Sequence, residues 1–349
     1  MRGADVIAKA HAAFPGARGY FNTAAIGLPP RDAADELRMA IDAWQAGAAT
    51  APGYDRYIDE ARALFADLVH VTPDAVAISS QVSALVGMIA AGLPSGANVL
   101  CPEGEFTSVL FPFLARDDLN VRLVPLEHLP DSIDAGTDLV AFSLVQSADG
   151  CVARARDIAE AAQRVGARTL VDGTQAAGWL PLDAGHFDIT VTGTYKWLLS
   201  PRGTAFMTVR QQAMDLPIPV NAGWYAGEAP WDAIYGAPLR LAADARRFDL
   251  SPGWLAWVGT AAALRFLRTL DPQAVWQHNV GLANAFRRRV GLAASDSAIV
   301  SCDLPSTTDH DRLGQLSTSN RAGRLRVAFH LYNDQADLDA LTDALGVPR

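Results

Sequence analysis

The stretch TLVDGTQAAGWLPLDAGHFDITVTGTYKW, residues 169–197, indicates the fold of this chain. Its apolar runs, 169–171 and 189–192, are short and bounded by turn-forming residues, as in the buried strands of a parallel sheet. Ligands of open α/β sheets bind beside the carboxyl ends of such strands. Asp172 follows the first run and Lys196 follows the second, so we expect both side chains to face one crevice.

Lys196 is one of only two lysines in the chain, the other being Lys9, whereas the arginines number 27. Arginine stays charged in proteins, but a desolvated lysine loses its proton, and the neutral amine forms Schiff bases with carbonyl groups. Pyridoxal phosphate needs a lysine for its aldehyde and an acid for its pyridine nitrogen. Lys196 and Asp172 are therefore the predicted catalytic pair. Each residue also has a competing interpretation. On these interpretations, the scarcity of lysine reflects only a compositional bias toward arginine, with Lys196 at the end of a helix, and Asp172 is an ordinary turn residue after a strand.

Segment 169–209 resembles the class V aminotransferase family, which belongs to fold type I of the pyridoxal phosphate enzymes. This family includes cysteine desulfurases, kynureninase and isopenicillin N epimerase-like proteins. The Asp-x-x-Gln pattern at Asp172 and Gln175 and the Tyr-Lys pair at 195–196 carry the likeness. Segments 20–25 and 325–333 are similar to the family's amino-terminal and carboxyl-terminal active-site segments. The resemblance implies pyridoxal 5′-phosphate as the cofactor and a homodimer with its active sites at the interface.

The order of the predicted elements also indicates an α/β fold, because strand-like and helix-like segments alternate through the middle of the chain. With the resemblance, this gives a mostly parallel seven-stranded sheet flanked by helices, plus a small C-terminal α+β domain. The candidate strands are 75–78, 98–101, 121–124, 139–143, 169–171, 189–192 and 205–209, and the candidate helices are 81–93, 106–115, 157–165 and 254–270. The predicted divisions are an N-terminal segment that packs with the small domain (1–18), a large cofactor-binding domain (19–240) and the small domain (241–349).

The resemblance also assigns residues to the cofactor pocket. A helix that opens after a strand at 80–82 is expected to bind the phosphate through its amides, although an ordinary helix cap has the same sequence. Phe106 occupies the position where desulfurases carry the histidine that stacks on the pyridine ring. The alternative is that Phe106 belongs to the hydrophobic core. Trp224 lies in the segment that resembles the one reaching the neighbouring subunit's cofactor in the family. The alternative is that Trp224 only packs at the dimer interface. The predicted cofactor-binding residues are Ser80, Gln81, Val82, Phe106, Asp172, Gln175, Thr194, Tyr195, Lys196 and Trp224.

Two residues are predicted to bind the substrate. Arg326 resembles the family arginine that holds the α-carboxylate of the substrate, a task suited to a planar guanidinium. Asn22 is the second candidate for a substrate contact. Without the resemblance, Arg326 would be interpreted as a surface arginine beside a strand.

Three cysteines, Cys101, Cys151 and Cys302, bear on the reaction. None lies in segment 313–321, the loop before Arg326 where a persulfide-forming desulfurase carries its thiolate. We therefore expect lyase-type chemistry, either C–S or another β-elimination, or a related proton transfer at Cα of a small α-amino acid or amino-acid conjugate. The alternatives are a transaminase, or an epimerase or racemase of the same fold.

Composition excludes several other classes. A net charge of −9 and a pI near 5.2 argue against a nucleic-acid-binding protein. The longest apolar stretch, 83–93, is too short to span a bilayer. Widely spaced cysteines and no signal-peptide pattern predict a cytoplasmic protein, and no metal site is predicted. A dehydrogenase is disfavoured because no G-x-G-x-x-G follows the first strand, and an inactive scaffold because Asp172 and Lys196 are both present.

Overall fold

The computed structural model describes residues 3–348. Residues 1, 2 and 349, which belong to the predicted ranges 1–18 and 241–349, lie outside that part, as do the side chains of residues 3–6. No helix within the described part is both long enough and apolar enough to cross a membrane.

A seven-stranded sheet forms the centre of the molecule. Its strands, in chain order, are β1 (Val76–Ser79), β2 (Asn98–Pro102), β3 (Asn120–Val124), β4 (Leu139–Ser143), β5 (Arg168–Asp172), β6 (Ile189–Gly193) and β7 (Ala205–Val209). Their spatial order is β1-β7-β6-β5-β4-β2-β3. Only β7 runs against its neighbours, and every other pairing is parallel. All seven predicted strands are therefore present within one residue of the expected bounds.

Apolar side chains cover both faces of this sheet, because successive residues of a strand point to opposite sides. Val140 and Phe142 of β4 belong to one buried cluster, whereas Leu139 and Ala141 belong to another. The first face is covered by α3 (Asp55–Leu68), α6 (Ala155–Val165) and α7 (Trp254–Arg268), and the second by α4 (Val82–Gly92) and α5 (Thr107–Leu114). Burial on both faces explains why the strands read as continuous apolar runs.

The remaining helices pack around this frame. They are α1 (Gly3–His11), α2 (Arg31–Gln45), α8 (Pro272–Arg289), α9 (His310–Gly314) and α10 (Gln335–Leu345). Helix α2 packs on α7, and α1 packs on α8. Helix ends follow local chemistry: α6 stops at Gly166, whose φ is 79°, and α10 begins with a capping box between Asp334 and Asp337.

A second, three-stranded antiparallel sheet lies near the carboxyl terminus. It consists of β8 (Ile299–Cys302), β9 (Ser319–Arg321) and β10 (Arg324–Ala328), in the order β8-β10-β9. One face of β10 packs against α8 and α10 through Leu325 and Val327. The amino-terminal chain joins this unit, since the Phe21 amide donates to the Ser317 carbonyl (2.8 Å). The α/β fold class with a small α+β unit is thus confirmed, while the divisions at 18 and 240 remain predictions.

Candidate active site

The strand ends that the sequence singled out lie along one edge of the large sheet. Ser143 at the end of β4 is paired with Asp172 at the end of β5, and Asp172 is paired with Val191 of β6. Ser79 at the end of β1 meets the same residue of β7 as Gly193 does. The loops that leave this edge carry the candidate site.

Lys196 is buried, with 4% of its surface exposed. Burial lowers the pKa of its amine to about 8; Asp172 opposes this shift, whereas Arg326, Arg321 and Arg202 add to it. The Nζ atom lies 5.2 Å from the centre of the Phe106 ring and 5.7 Å from that of the Tyr195 ring. The amine therefore has an aromatic surround and a substantial neutral fraction near pH 8, as a nucleophilic lysine requires.

Asp172 is equally buried, and burial raises the pKa of its carboxyl to about 6. Its Oδ1 accepts a hydrogen bond from the Thr174 amide (2.8 Å), and the Thr174 hydroxyl accepts one from the Gly193 amide (2.8 Å). These contacts link the ends of β5 and β6. They fix the acid relative to the segment that carries Lys196.

Glu105 organises the loop that presents Phe106. Its buried carboxylate accepts hydrogen bonds from the Ser143 amide and hydroxyl, the Gln146 side chain and the Phe106 amide. Four donors stabilise this charge without a cation. The network ties the Phe106 loop to the end of β4, so the ring is held at a defined distance from Lys196.

Gln175 and Arg326 are joined through Ser147. The Gln175 amide nitrogen donates to the Ala24 carbonyl (2.9 Å) and to Ser147 Oγ (3.0 Å), and Arg326 Nη1 donates to the Ser147 carbonyl and hydroxyl. The Gln175 oxygen accepts from Trp197 Nε1 (2.8 Å), which sets the orientation of the amide. Arg326 and Gln175 are therefore parts of one network beside Lys196.

Buried polar atoms without a partner mark where a ligand fits. Within the described residues they include Arg326 Nη2, Asn22 Oδ1 and Thr192 Oγ1. No carboxylate in the described part of the chain pairs with Arg326, and burial lowers the pKa of its guanidinium to about 10. A buried polar atom without a hydrogen-bond partner destabilises the folded protein. An anion bound at Arg326 Nη2 would supply the missing partner and remove that cost.

The amino terminus of α4 offers a second place for an anion. Gln81, the residue before the helix, is extended and its side chain makes no capping hydrogen bond. Ser80 is exposed and Val82 is buried. The first amides of a helix have no partner within the helix and attract phosphate groups. The donors here fit the phosphate of a cofactor.

A comparison with known families identifies the fold and the cofactor. The model of the family "Aminotransferase class-V" matches residues 53–300, more than half of the chain. The chain belongs to the aminotransferase class-V family. Pyridoxal 5′-phosphate is the cofactor of this family, so the predicted family and cofactor are confirmed.

The chain is similar to several members of this family with different names. It is 31% identical over 230 residues to the uncharacterized aminotransferase YcbU of Bacillus subtilis, a match that covers 62% of the chain and 60% of that protein. It is 26% identical to isopenicillin N epimerase of Streptomyces clavuligerus, over 82% of the chain and 83% of the epimerase. The solved structure of the cystine C-S lyase C-DES with cysteine persulfide has a TM-score of 0.85 at 21% identity, over 95% of this chain and 98% of that one. This last similarity supports the class V fold.

Besides Gln175, whose amide is bonded to Ala24, Ser147 and Trp197, two more of the predicted cofactor contacts are turned to other partners. The Thr194 hydroxyl is hydrogen-bonded with the Thr204 hydroxyl and carbonyl inside the protein. Trp224 packs on Tyr225 and Trp231, with ring centres 5.1 Å and 4.8 Å away. No ring or hydrogen-bond contact in the described part links Trp224 to Lys196. Both roles therefore stay predictions.

Some residues that shape the site are not among the site residues predicted from the sequence. Glu105 and Ser147 both follow strands at the same sheet edge, which is the signal that could have identified them. His330 accepts from Asn279 through Nδ1 (3.1 Å) and faces the Trp197 carbonyl through Nε2 (3.2 Å), and burial lowers its pKa to about 3. A neutral His330 thus supports the backbone directly after Lys196.

The cysteines lie away from the predicted position of a catalytic thiolate. Cys101 and Cys302 are buried in separate apolar clusters, and Cys302 shares the core-facing side of its sheet with Leu325. Burial raises the pKa of all three thiols, that of Cys151 to about 11. None of them is therefore a ready thiolate near neutral pH.

One cluster of possible metal ligands lies elsewhere, among His11, Asp334 and Asp337. Arg18 already forms ion pairs with both carboxylates, at 2.6 Å and 3.3 Å. The cluster is explained by this ion-pair network.

Proposed function

We propose that this class V protein acts on a small α-amino acid or amino-acid conjugate and catalyses a lyase-type reaction, a C–S or other β-elimination that begins with loss of the Cα proton. The observation that carries the proposal is the buried Lys196 amine beside a buried arginine, Arg326, whose Nη2 has no partner. An amine base and an unpaired guanidinium fit the Cα proton and the α-carboxylate of one amino acid.

The residues present fit the cofactor. Lys196 would hold its aldehyde, Asp172 would hold a proton on its pyridine nitrogen, and the first amides of α4 would hold its phosphate. Phe106 is placed to cover one face of the ring. Bound in this way, pyridoxal phosphate accepts electrons from the bonds at Cα.

The chain's own groups then divide the work. Arg326 binds the α-carboxylate through a charged hydrogen bond and orients Cα. Lys196 would remove the Cα proton, and its lowered pKa suits a general base near neutral pH. Asp172 would stabilise a positive pyridine nitrogen. The hydrocarbon ring of Phe106 can exchange no protons.

β-Elimination needs only these groups and a leaving group on Cβ. A persulfide-forming desulfurase needs a thiolate as well, and the three cysteines do not provide one near Arg326. Epimerisation is the second candidate, because isopenicillin N epimerase matches more than four fifths of both chains. Transamination is a further alternative, supported by the name of the Bacillus subtilis relative.

We also propose a homodimer, as the resemblance implies, and a cytoplasmic location, as the widely spaced cysteines predict. Large apolar side chains on the described surface support an interface, among them Trp44 (64% exposed), Leu239 (79%) and Tyr235 (88%). Sedimentation of the purified protein tests this part.

Product analysis tests the reaction. The protein loaded with pyridoxal phosphate is incubated in D2O with a panel of amino acids, including cysteine, cystine and their conjugates. A lyase releases a 2-oxo acid and ammonia without an added acceptor, an epimerase gives the deuterated mirror-image amino acid, and a transaminase turns over only with an added 2-oxo acid. Absence of Cα exchange with every amino acid contradicts the proposal.

A further inference from the structure

A tight hairpin places a second arginine beside Arg326. Strands β9 and β10 are joined by Ala322 and Gly323, which have φ values of 50° and 79°. Arg321 is paired with Arg324, and Ser319 with Arg326. Residues directly opposite each other in an antiparallel pair share a face of the sheet.

The shared face points away from the small-domain core. Leu325 and Val327 are buried in that core, so Arg324 and Arg326 lie on the other side of β10. Arg326 Nε donates to the Ser319 hydroxyl (3.1 Å) across this side. Arg321 therefore extends from the same face as the predicted carboxylate-binding residue.

Among the residues that the structure describes, Arg321 has no acidic partner, whereas Arg324 has one. Arg324 forms an ion pair with Asp303 at 3.2 Å. Arg321 is exposed, and the only hydrogen bond that its side chain makes within the described residues goes to the adjacent Asn320 carbonyl (2.8 Å). Its charge nevertheless acts on the site, because it lowers the pKa of both Lys196 and Arg326.

The turn also holds this arginine in place at a cost. Ala322 adopts the left-handed conformation, which is unfavourable for an L-residue other than glycine. A two-residue turn of this kind fixes the register of the hairpin. Arg321 is thus held beside the site rather than carried on a free loop.

We propose that the substrate is an amino acid with a second carboxylate, on its side chain, and that Arg321 binds this group at the rim of the site. The inference rests on the proposed function, in which Arg326 takes the α-carboxylate. A neutral side chain would leave Arg321 without a counter-ion next to Arg326 and Lys196. A side-chain carboxylate supplies that charge.

Matched acids and amides test the idea with the protein carrying pyridoxal phosphate. Aspartate, glutamate and 2-aminoadipate are compared with their side-chain amides, and each Kd is measured from the cofactor's visible absorbance and by calorimetry. At least one acid should bind about tenfold tighter than its amide, since a charge-assisted hydrogen bond at an exposed site contributes at the lower end of its range. Arg321→Gln should bring that ratio close to one.

Two further variants sharpen the test. Arg321→Lys keeps the charge and should retain part of the preference. Arg312→Gln removes an exposed arginine of the small domain that pairs with Asp309, and it should keep the full ratio. Rising salt should shrink the ratio in the unmodified protein, because exposed charges are screened; this check stands even if Arg321→Gln is unstable.

The outcomes separate the two proposals. If amino acids bind but no acid is preferred, or if the preference survives Arg321→Gln, the inference about Arg321 is wrong and the proposed function stands. If no acid or amide perturbs the cofactor or gives heat while another amino acid of the panel exchanges its Cα proton, the inference about Arg321 alone fails; if no amino acid of the whole panel binds or exchanges, both fail.

Discussion

Gly27→Ala should disturb the active site without touching any reacting group. Gly27 lies against the backbone of Lys196, and its amide donates to the Tyr195 carbonyl (2.9 Å). A Cβ at position 27 would lie 1.9 Å from the Lys196 carbonyl oxygen. Reaching even 3.0 Å requires the two backbones to separate by about 1.1 Å. The contacted atom belongs to the backbone, so no side-chain rotation relieves the clash.

The expected cost has two parts. Overpacking of this kind destabilises a protein by about 1–3 kcal/mol, and a displacement near 1 Å at a catalytic group slows the reaction by about 100-fold. Gly281→Ala is the matched control, because Gly281 is an exposed residue of helix α8 with open space around its Cβ position. Urea unfolding and the rate of Cα deuterium exchange measure both effects. A Gly27→Ala protein that matches the unmodified protein in both measurements would refute the close approach.

Three other changes have distinct expected outcomes. Arg326→Ala should weaken binding of an amino acid by about 10–150-fold, the equivalent of one lost charged hydrogen bond, with the visible cofactor spectrum unchanged in absorbance measurements. Burial raises the pKa of Asp172 from 3.8 to about 6, so its ionisation destabilises the cofactor-free fold as pH rises through that window. Asp172→Asn should therefore gain stability relative to the unmodified protein between pH 4 and pH 7, and an equal difference in unfolding free energy at both pH values contradicts this. Replacing Cys101 and Cys302 by Ala and Cys151 by Ser should preserve turnover of a folded protein, and loss of product formation with an intact cofactor spectrum would restore the desulfurase interpretation.

The sequence predicts the large sheet well because each strand is a local pattern. Burial on both faces makes strands such as β4 and β5 continuous apolar runs, and the turn residues after them mark the edge where Asp172 and Lys196 meet. Chain order and a parallel sheet are enough to bring these two residues together.

The supporting contacts could not be predicted in the same way. Ser143 and Glu105 are 38 residues apart, and Ser147 and Arg326 are 179 apart, so their hydrogen bonds depend on how loops and domains pack. The direction of a side chain in a turn is equally hidden, as Thr194 shows by bonding to Thr204. Arg321 stands out only once the pairing of β9 with β10 is known.

Reduction with borohydride tests the central claim, that Lys196 holds pyridoxal phosphate. The protein is loaded with the cofactor, reduced, digested and mapped by mass spectrometry. Because the chain has only two lysines, Lys9→Arg and Lys196→Arg form a matched pair. We predict a pyridoxyl group on the Lys196 peptide in the unmodified protein and in Lys9→Arg, and no label in Lys196→Arg. Label on Lys9, or a protein that takes up no pyridoxal phosphate, would contradict the account.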